Sequence, residues 1–396
     1  GMLQGVGVMS KKVLIIGGGA SGILCALKVA ENGGEVTIVE RNDRVGKKLL
    51  STGNGKCNLS NLNVSAEAYN DTFVEKILNK YDAKRIMDEF ASLGLLCKAD
   101  QEGRIYPYSE SASTVVNVLL QRLAERRVNV ICDCVAQKIE KKENGFAVIT
   151  SKGEFFADKV VLASGSDATC GLNSHSLVSG FGHNIVPLNY AIAPLLCKDV
   201  RGANGVRAKV YASISINGET LMGERGELLF KDNAISGVLA FRLSSMLARY
   251  RDDVKSCQLE VDFVPDMSEK DLAEYVYNNC RAYAPLEGIL HKALAFNVLA
   301  TLPMDRSLIM SRKKANDIAR GCKTFKVNIT GIGSKNSAQV AGGGIALDDI
   351  DDVTLQSRLC KGLYIIGEVE NVDGLCGGFN LHWAWASALA CSEDIL

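Results

Sequence analysis

Three glycines in the spacing Gly17-x-Gly19-x-x-Gly22 follow the apolar run "KVLII" and open a segment of helical periodicity. Each has a mechanical task there. Gly17 permits a tight turn, Gly19 lets the backbone approach a pyrophosphate, and Gly22 lets the helix pack close to the strand. The N–H groups at the helix start then face the phosphates. The next strand, "EVTIVE", closes on Glu40, where a carboxylate accepts hydrogen bonds from ribose hydroxyls. A second group, "STGNGKCNLSN" at 51–61, gathers glycine, asparagine and one cysteine without helical or strand period. Cys57 is either a redox thiol or part of a loop whose glycines let backbone lie against a cofactor. It lacks a partner at disulfide-reductase spacing, which favours the loop, and Cys376 is the one cysteine left as a candidate partner.

These residues need elements to hold them. "KVLII" is a short β-branched run, as expected of a strand buried on both faces. A helix over Ala20–Ala30 stops at Asn32-Gly33-Gly34. The motif by itself serves NAD or FAD. A nicotinamide dehydrogenase continues with further βα units, whereas this chain leaves into "RNDRVGKKLLSTGNGKCNLSN", an irregular segment too long to be idle in a compact protein. Residues 129–166 then read as three or four strands with turns at Asn144-Gly145 and Lys152-Gly153, ending in an apolar strand and a turn at Gly165. The C-terminal "GLYIIGEVENVDGLCGGFNLHWAWASALAC" repeats strand, break and loop, and a helix begins near Gly378.

The bulk numbers limit the rest. With 396 residues the chain exceeds a single core. Lys+Arg and Asp+Glu each total 45, so the zero formal charge removes the electrostatic case for a nucleic-acid or anionic-membrane partner. Apolar stretches stop short of the ~20 residues of a membrane span. Thirteen cysteines without C-x-x-C spacing, and only four histidines, give no metal-site pattern and suit a reducing cytoplasm.

Several longer stretches resemble one family. "GKKLLSTGNGKCNLSN", "GRIYPYSESASTVV", "GELLFKDNAISG", "QVAGGGIAL" and "GEVENVDGLCGGFNLHWAWASA" occur in the order seen in the BaiN-type oxidoreductases, within the two-dinucleotide-binding flavoproteins. The resemblance runs from about residue 12 to 391. It implies an α/β fold: a Rossmann-like FAD-binding domain of the glutathione-reductase type, interrupted by an inserted β-barrel-like lobe and a small helical lobe. The expected boundaries are 10–189 and 326–396 for the FAD-binding domain, 190–265 for the β-rich lobe and 266–325 for the helical lobe.

By resemblance, Gly17, Gly19, Ala20, Ser21 and Gly22 contact the FAD pyrophosphate, and Glu40 and Arg41 the adenosine. Lys48 and the loop Gly53, Asn54, Gly55, Cys57 and Asn58 lie along the cofactor. Val135 sets backbone against the adenine, with Ala163 and Gly165 at the neighbouring turn. Gly367, Glu368, Asp373 and Gly374 form the second FAD motif, while Gly378, Asn380 and Leu381 open a helix aimed at the pyrimidine edge of the flavin. Lys56 stands where Arg is common and His382 where Gln is common. His382 either brings a titratable group to the flavin or packs beside Trp383.

The middle of the chain alternates apolar and polar residues over 206–237, with expected turns at Asn217-Gly218 and Arg225-Gly226. A helical stretch follows, with Ser268 as its N-cap. No second GxGxxG appears, so NAD(P)H, as a transient donor, would visit the same flavin face as a small-molecule substrate. In "GRIYPYSES", Arg104 could pair a substrate carboxylate and Tyr106 donate a proton, with Ser109 nearby; equally, Tyr106-Pro107 could be a packing turn. The expected activity is hydride transfer through flavin N5 from NAD(P)H to an activated C=C of a hydrophobic acid. An O2-using amine oxidase, a non-catalytic redox sensor and a thiol oxidoreductase acting through Cys57 remain the alternatives.

Overall fold

The computed structural model describes residues 9–165, 174–186, 194–248, 254–303, 307–332, 343–375 and 377–396. The chain divides into two compact units, residues 1–189 with 341–396 and residues 190–340, each with its own apolar core.

The first unit begins with β1 (Lys12–Ile16), α1 (Ala20–Glu31) and β2 (Glu35–Val39). The two strands pair in parallel, Val13 opposite Val36 and Ile16 opposite Val39, which requires the helical crossover between them. Val13 to Ile16 are all buried, as a strand covered on both faces must be. A 3-10 segment (Lys48–Gly55), β3 (Ser60–Asn61), α2 (Glu75–Lys80), α3 (Ala83–Ser92), β4 (Cys97–Ala99) and β5 (Arg104–Pro107) follow. Strand β5 is the centre of a small antiparallel sheet with β3 and β4. Helix α4 (Ala112–Glu125) leads to β6 (Asn129–Ile131), parallel to β2. An antiparallel sheet of β7 (Ala136–Lys142), β8 (Gly145–Thr150) and β9 (Gly153–Ala157) turns at the two expected glycines, and β10 (Lys159–Leu162) returns parallel to β1. The short α5 (Ser176–Ser179) and β11 (Ile185–Val186) end this half.

The second unit is built around a closed six-stranded barrel. Its strands are β12 (Leu195–Cys197), β13 (Arg207–Ile216), β14 (Glu219–Lys231), β15 (Ala234–Ser236), β16 (Cys257–Asp262) and β17 (Phe325–Ile332), in the order β12-β15-β14-β13-β16-β17. Helix α6 (Val238–Ala248) follows β15, and α7 (Glu269–Asn279), α8 (Lys292–Ala300) and α9 (Arg312–Lys323) lie between β16 and β17. Asn217 and Gly218 both take positive φ, 51° and 82°, which gives the β13–β14 hairpin the twist of a tight primed turn. Ser268 caps α7 by accepting from Asp271 N–H.

Two expectations change here. Arg225-Gly226 is no turn: β14 runs straight through it, and Gly226 serves close packing, since a Cβ there would sit 3.0 Å from Leu239 Cβ. Residues 266–325 make no separate lobe either. Leu272, Val276, Val298, Ile318 and Cys322 share the barrel's core, and Phe325–Ile332 closes the barrel rather than beginning the return to the first unit.

The chain re-enters the first unit with β18 (Gly344–Ile345), antiparallel to β11, and β19 (Leu363–Ile365), parallel to β10. The central sheet order is therefore β19-β10-β1-β2-β6. Helix α10 (Phe379–Asp394) completes the unit and is buried almost all round. No helix among the described residues is long and apolar enough to cross a membrane.

Candidate functional site

The turn after β1 is shaped by close approach on two sides. Gly17 has φ +111°, and a Cβ there would lie 2.2 Å from Ala163 O at the end of β10. A Cβ on Gly22 would lie 1.9 Å from Gly17 O, so α1 rests directly on the turn. Gly19 is different. Its φ of −89° is open to any residue, and a Cβ on it would meet no protein atom within 4 Å. It precedes α1, which has no side-chain cap, so the first N–H groups of the helix, from Ala20 through Ser21, are left for another acceptor. At Gly165, with φ +76° beyond β10, a Cβ would likewise meet no atom of the described residues within 4 Å.

Glu40 lies at the end of β2, 8% exposed, its carboxylate held by Gly18 N–H at 3.2 Å and Asn42 N–H at 3.1 Å. Beside it Arg41 has a buried Nη1 without a partner among the described residues. Val135 is exposed at the surface. Val135 N–H donates to Ser151 Oγ at 2.9 Å, and its carbonyl accepts from Ser151 N–H while keeping a second lone pair.

The loop after β2 and the start of α10 come together. Lys48 and Glu368 form an ion pair at 2.6 Å, which joins the first stretch to the second motif. Gly53, Asn54 and Gly55 lie in the 3-10 segment, and Gly55 has φ +80° with nothing within 4 Å of a Cβ. Gly367 lies against Ser21 of α1, where a Cβ would be 2.5 Å from Ser21 Oγ. Asn70 braces the loop before α10 by accepting from Asp373 N–H and donating to Asn371 O. Asn380 closes the same loop on Gly374, accepting from its N–H at 2.7 Å and donating to its carbonyl. Gly378 precedes α10 at φ +98°; a Cβ would fall 2.4 Å from Ser60 O and 2.7 Å from Asn58 Oδ1. The backbone strain of that conformation is one glycine alone avoids. Helix α10 also lacks a side-chain cap, so its first N–H groups, Leu381 included, add a second electropositive helix start.

Several sequence candidates take other roles. His382 is fully buried, its Nε2 2.8 Å from Tyr81 O and its Nδ1 2.7 Å from Ser60 Oγ. A carbonyl only accepts, so the Nε2 proton goes to Tyr81 and Ser60 donates to Nδ1. Burial pulls its pKa down to about 4, and the ring is a neutral strut between β3 and the α2–α3 connection, not a group facing a ligand. Cys57 has no exposed surface, so it makes no lining contact; its φ of 57° shapes the loop, and burial pushes its thiol up to about 11, the opposite of a reactive thiolate. Cys376 lies outside the described residues, as do 339–342 of "QVAGGGIAL".

Arg104 is held within its own turn, by Asp100 at 2.8 Å and Glu102 at 3.3 Å, so it is not poised for a substrate carboxylate. Tyr106 is half-buried on β5, opposite Lys98, and Ser109 is exposed beyond it. Trp383 and Trp385 both belong to the core; Trp385 Nε1 donates to Leu59 O at 3.0 Å. Two residues outside the sequence candidates also act here: the Asn61 side chain donates to Gly377 O at 3.0 Å, and the Tyr69 hydroxyl donates to Phe379 O at 2.6 Å. Both tie the start of α10 in place, and neither lies at a spacing that would have marked it.

Residues 11–394 match the family model described as the HI0933-like protein Rossmann domain. The chain belongs to the HI0933-like family of FAD-dependent oxidoreductases. Within it, the chain is 32% identical to a 3-dehydro-bile acid delta(4,6)-reductase of Clostridium scindens, over 95% of this chain and 97% of that protein. It is 26% identical to a ribosomal RNA dihydrouridine synthase of Escherichia coli, over 97% of both. Among solved structures, an open-conformation flavocytochrome c3 fumarate reductase aligns with TM-score 0.50 at 15% identity, over 98% of this chain and 78% of that one, which speaks to the fold alone.

The residues of this family member fit FAD on the structure's own terms. At Gly19, Gly55 and Gly165 no atom of the described residues lies within 4 Å of where a Cβ would stand. Buried polar atoms without partners among the described residues, Arg41 Nη1, Asn58 Oδ1 and Ser164 Oγ, stand at the ends of β2, the 3-10 loop and β10. The carboxyl ends of β1, β10 and β19, where such sheets bind ligands, carry both uncapped helix starts on the connections that follow them.

Proposed function

We propose that this family member reduces a carbon–carbon double bond conjugated to a carbonyl in a small organic acceptor, with NAD(P)H as donor. The observation that carries the reading is the pair of full-length relatives: a delta(4,6)-reductase and dihydrouridine synthases are both named for reductions that saturate such a bond. In net terms the acceptor gains a hydride at one carbon and a proton at the other, while NAD(P)H becomes NAD(P)+. Bound FAD supplies the two-electron carrier between them.

The chain's own residues bind and orient. The N–H groups at the start of α1, with Gly19 giving clearance and Gly17 and Gly22 letting turn, strand and helix close up, take the pyrophosphate. Glu40 accepts from the ribose hydroxyls, and Arg41 Nη1 gives the adenosine half a buried donor. Lys48, Glu368, Asp373 and Gly374 line the ribityl side. The first N–H groups of α10, after Gly378, favour negative charge at the pyrimidine edge. Tyr106 is the proposed proton donor; a neutral phenol is the right acid for a carbanion-like carbon. A balanced formal charge, 45 against 45, supports a small acceptor over a long RNA.

The test is anaerobic. FAD-loaded protein is mixed with NADH and then NADPH while the oxidised-flavin absorbance is followed. A reactive donor's sample then receives enone steroid acids or uridine-containing RNA. Bleaching by a nicotinamide, with recovery and a saturated product on adding the acid, is the expected result. Neither nicotinamide bleaching a flavin that dithionite still reduces would overturn the donor, and recovery with RNA alone would overturn the small acceptor.

A further inference from the structure

The segment "GELLFKDNAISG" builds the wall of a cavity within the second unit. Some 330 Å³ of space lies between β14 and α6, lined entirely by residues of the second unit. Gly226 lets α6 approach the strand, and Gly237, at φ +98°, turns β15 into the helix with Glu227 O only 3.0 Å from its would-be Cβ. A ligand cavity of this size is at the small end of the usual ~300–1,000 Å³.

Its charged lining is Arg207, Arg225, Arg242 and Glu227. Each arginine is fixed by a carboxylate through Nη1, to Glu227 at 2.8 Å, Asp266 at 2.6 Å and Glu224 at 3.2 Å. Among the described residues, the hydrogen bonds of Arg207 and Arg242 to carboxylates run through Nη1, which leaves part of each donor fork for another acceptor. Apart from Ser236, the rest of the wall is apolar, through Leu229, Val238 and Phe241, and Val238 is 66% exposed at the head of α6. Guanidinium forks match a carboxylate in the plane, and an apolar wall beside them rewards a hydrocarbon body.

We propose that the barrel unit holds a second ligand site, for an amphiphilic organic acid, with its anionic group on Arg207 and Arg242 and its apolar body along Val238 and Phe241. The site is independent of the redox reading, because its residues all lie in 207–242 and its occupancy is read as binding, not turnover.

Calorimetric titration of the FAD-loaded full chain with decanoate tests it. The expected result is saturable binding of one decanoate per chain, weakened at least tenfold by Arg242→Gln and by Val238→Glu. The second variant places a like charge in the wall without breaking an ion pair, so it keeps the test valid if Arg242→Gln unfolds. Lys326→Gln, exposed on β17 and outside the lining, should bind as the parent does. Decanol binding as tightly as decanoate, inorganic phosphate binding as tightly, an oligouridylate displacing decanoate at lower concentration, or equal affinity in Val238→Glu would each overturn the proposal.

Discussion

Two glycines three residues apart in one motif should fail in different ways when each becomes alanine. In Gly22→Ala the new methyl would stand 1.9 Å from Gly17 O, roughly 1.5 Å inside the ~3.5 Å at which carbon contacts become favourable. Both sides of that clash are backbone, so no rotamer relieves it, and α1 must lift from the turn. Overpacking of this kind costs about 1–3 kcal/mol, and the absence of a flexible partner puts this site toward 3. In a domain of this size that lowers the melting temperature by roughly 6–12 °C. In Gly19→Ala the methyl meets nothing within 4 Å and φ is −89°, so the protein alone barely registers it beyond the ~1 kcal/mol by which alanine is a poorer N-cap than glycine. What the methyl would strike is the ligand. Cofactor-stripped Gly19→Ala should therefore melt within about 3 °C of the parent, while its FAD affinity, read by flavin fluorescence quenching, falls at least about tenfold, ~1.4 kcal/mol. A Gly19→Ala protein that melts as low as Gly22→Ala, or binds FAD like the parent, would refute the assignment of that space to the cofactor.

Three further outcomes follow from buried groups. His382 has a folded pKa of about 4 against an unfolded value near 6.5, so only the unfolded chain takes the proton between them; stability is full above ~6.5 and declines by about 3 kcal/mol as pH falls to 4. His382→Gln should flatten urea-denaturation midpoints over that window, and an unchanged slope would show the ring is not the titrating group. Glu370 is fully buried, neither carboxyl oxygen has a partner among the described residues, and burial raises its pKa well above the usual range despite the nearby Trp383 indole. A proton kept only by the folded chain means stability is lost as pH rises above the ordinary carboxyl value, so Glu370→Gln should stabilise more at pH 8 than at pH 5 by thermal melting; an equal effect at both would sink the neutral-carboxyl reading. Cys57→Ser should leave flavin reduction and turnover intact while costing roughly 1–2 kcal/mol for a buried hydroxyl in place of a thiol; loss of turnover with normal FAD content would restore the thiol mechanism.

What could be read in advance was whatever is local. Strand, glycine turn, helix and Glu40 lie within thirty residues, and each obeys its own period, so β1–α1–β2 came out nearly to the residue. Asn217-Gly218 announced its hairpin for the same reason. Roles set by distant partners were not legible. His382 sits on a helix buried on nearly every side, so no polar stripe signals which way a side chain points. Its partners, Ser60 and Tyr81, are some 300 residues away. Arg104 looked free because the carboxylates that hold it belong to a short turn with no strong signal of its own. Phe325–Ile332 alternates like any edge strand, and only the presence of β12 and β16 on either side makes it the closing stave of a barrel.

The central sheet and the start of α10 come from segments on either side of residues 190–340, and this sets an order of events during synthesis. When β10 has left the ribosome, its edge still lacks β19, and α1 lacks the helix that covers it. The barrel's chain then takes roughly 8–30 s to emerge at ~5–20 residues per second. Through that interval the barrel can close on its own core, while the nucleotide-binding half waits as a nascent intermediate with Cys25, Leu24 and their neighbours uncovered. The start of α10 and the last strand of the central sheet thus join the dinucleotide site only after the barrel's chain has emerged.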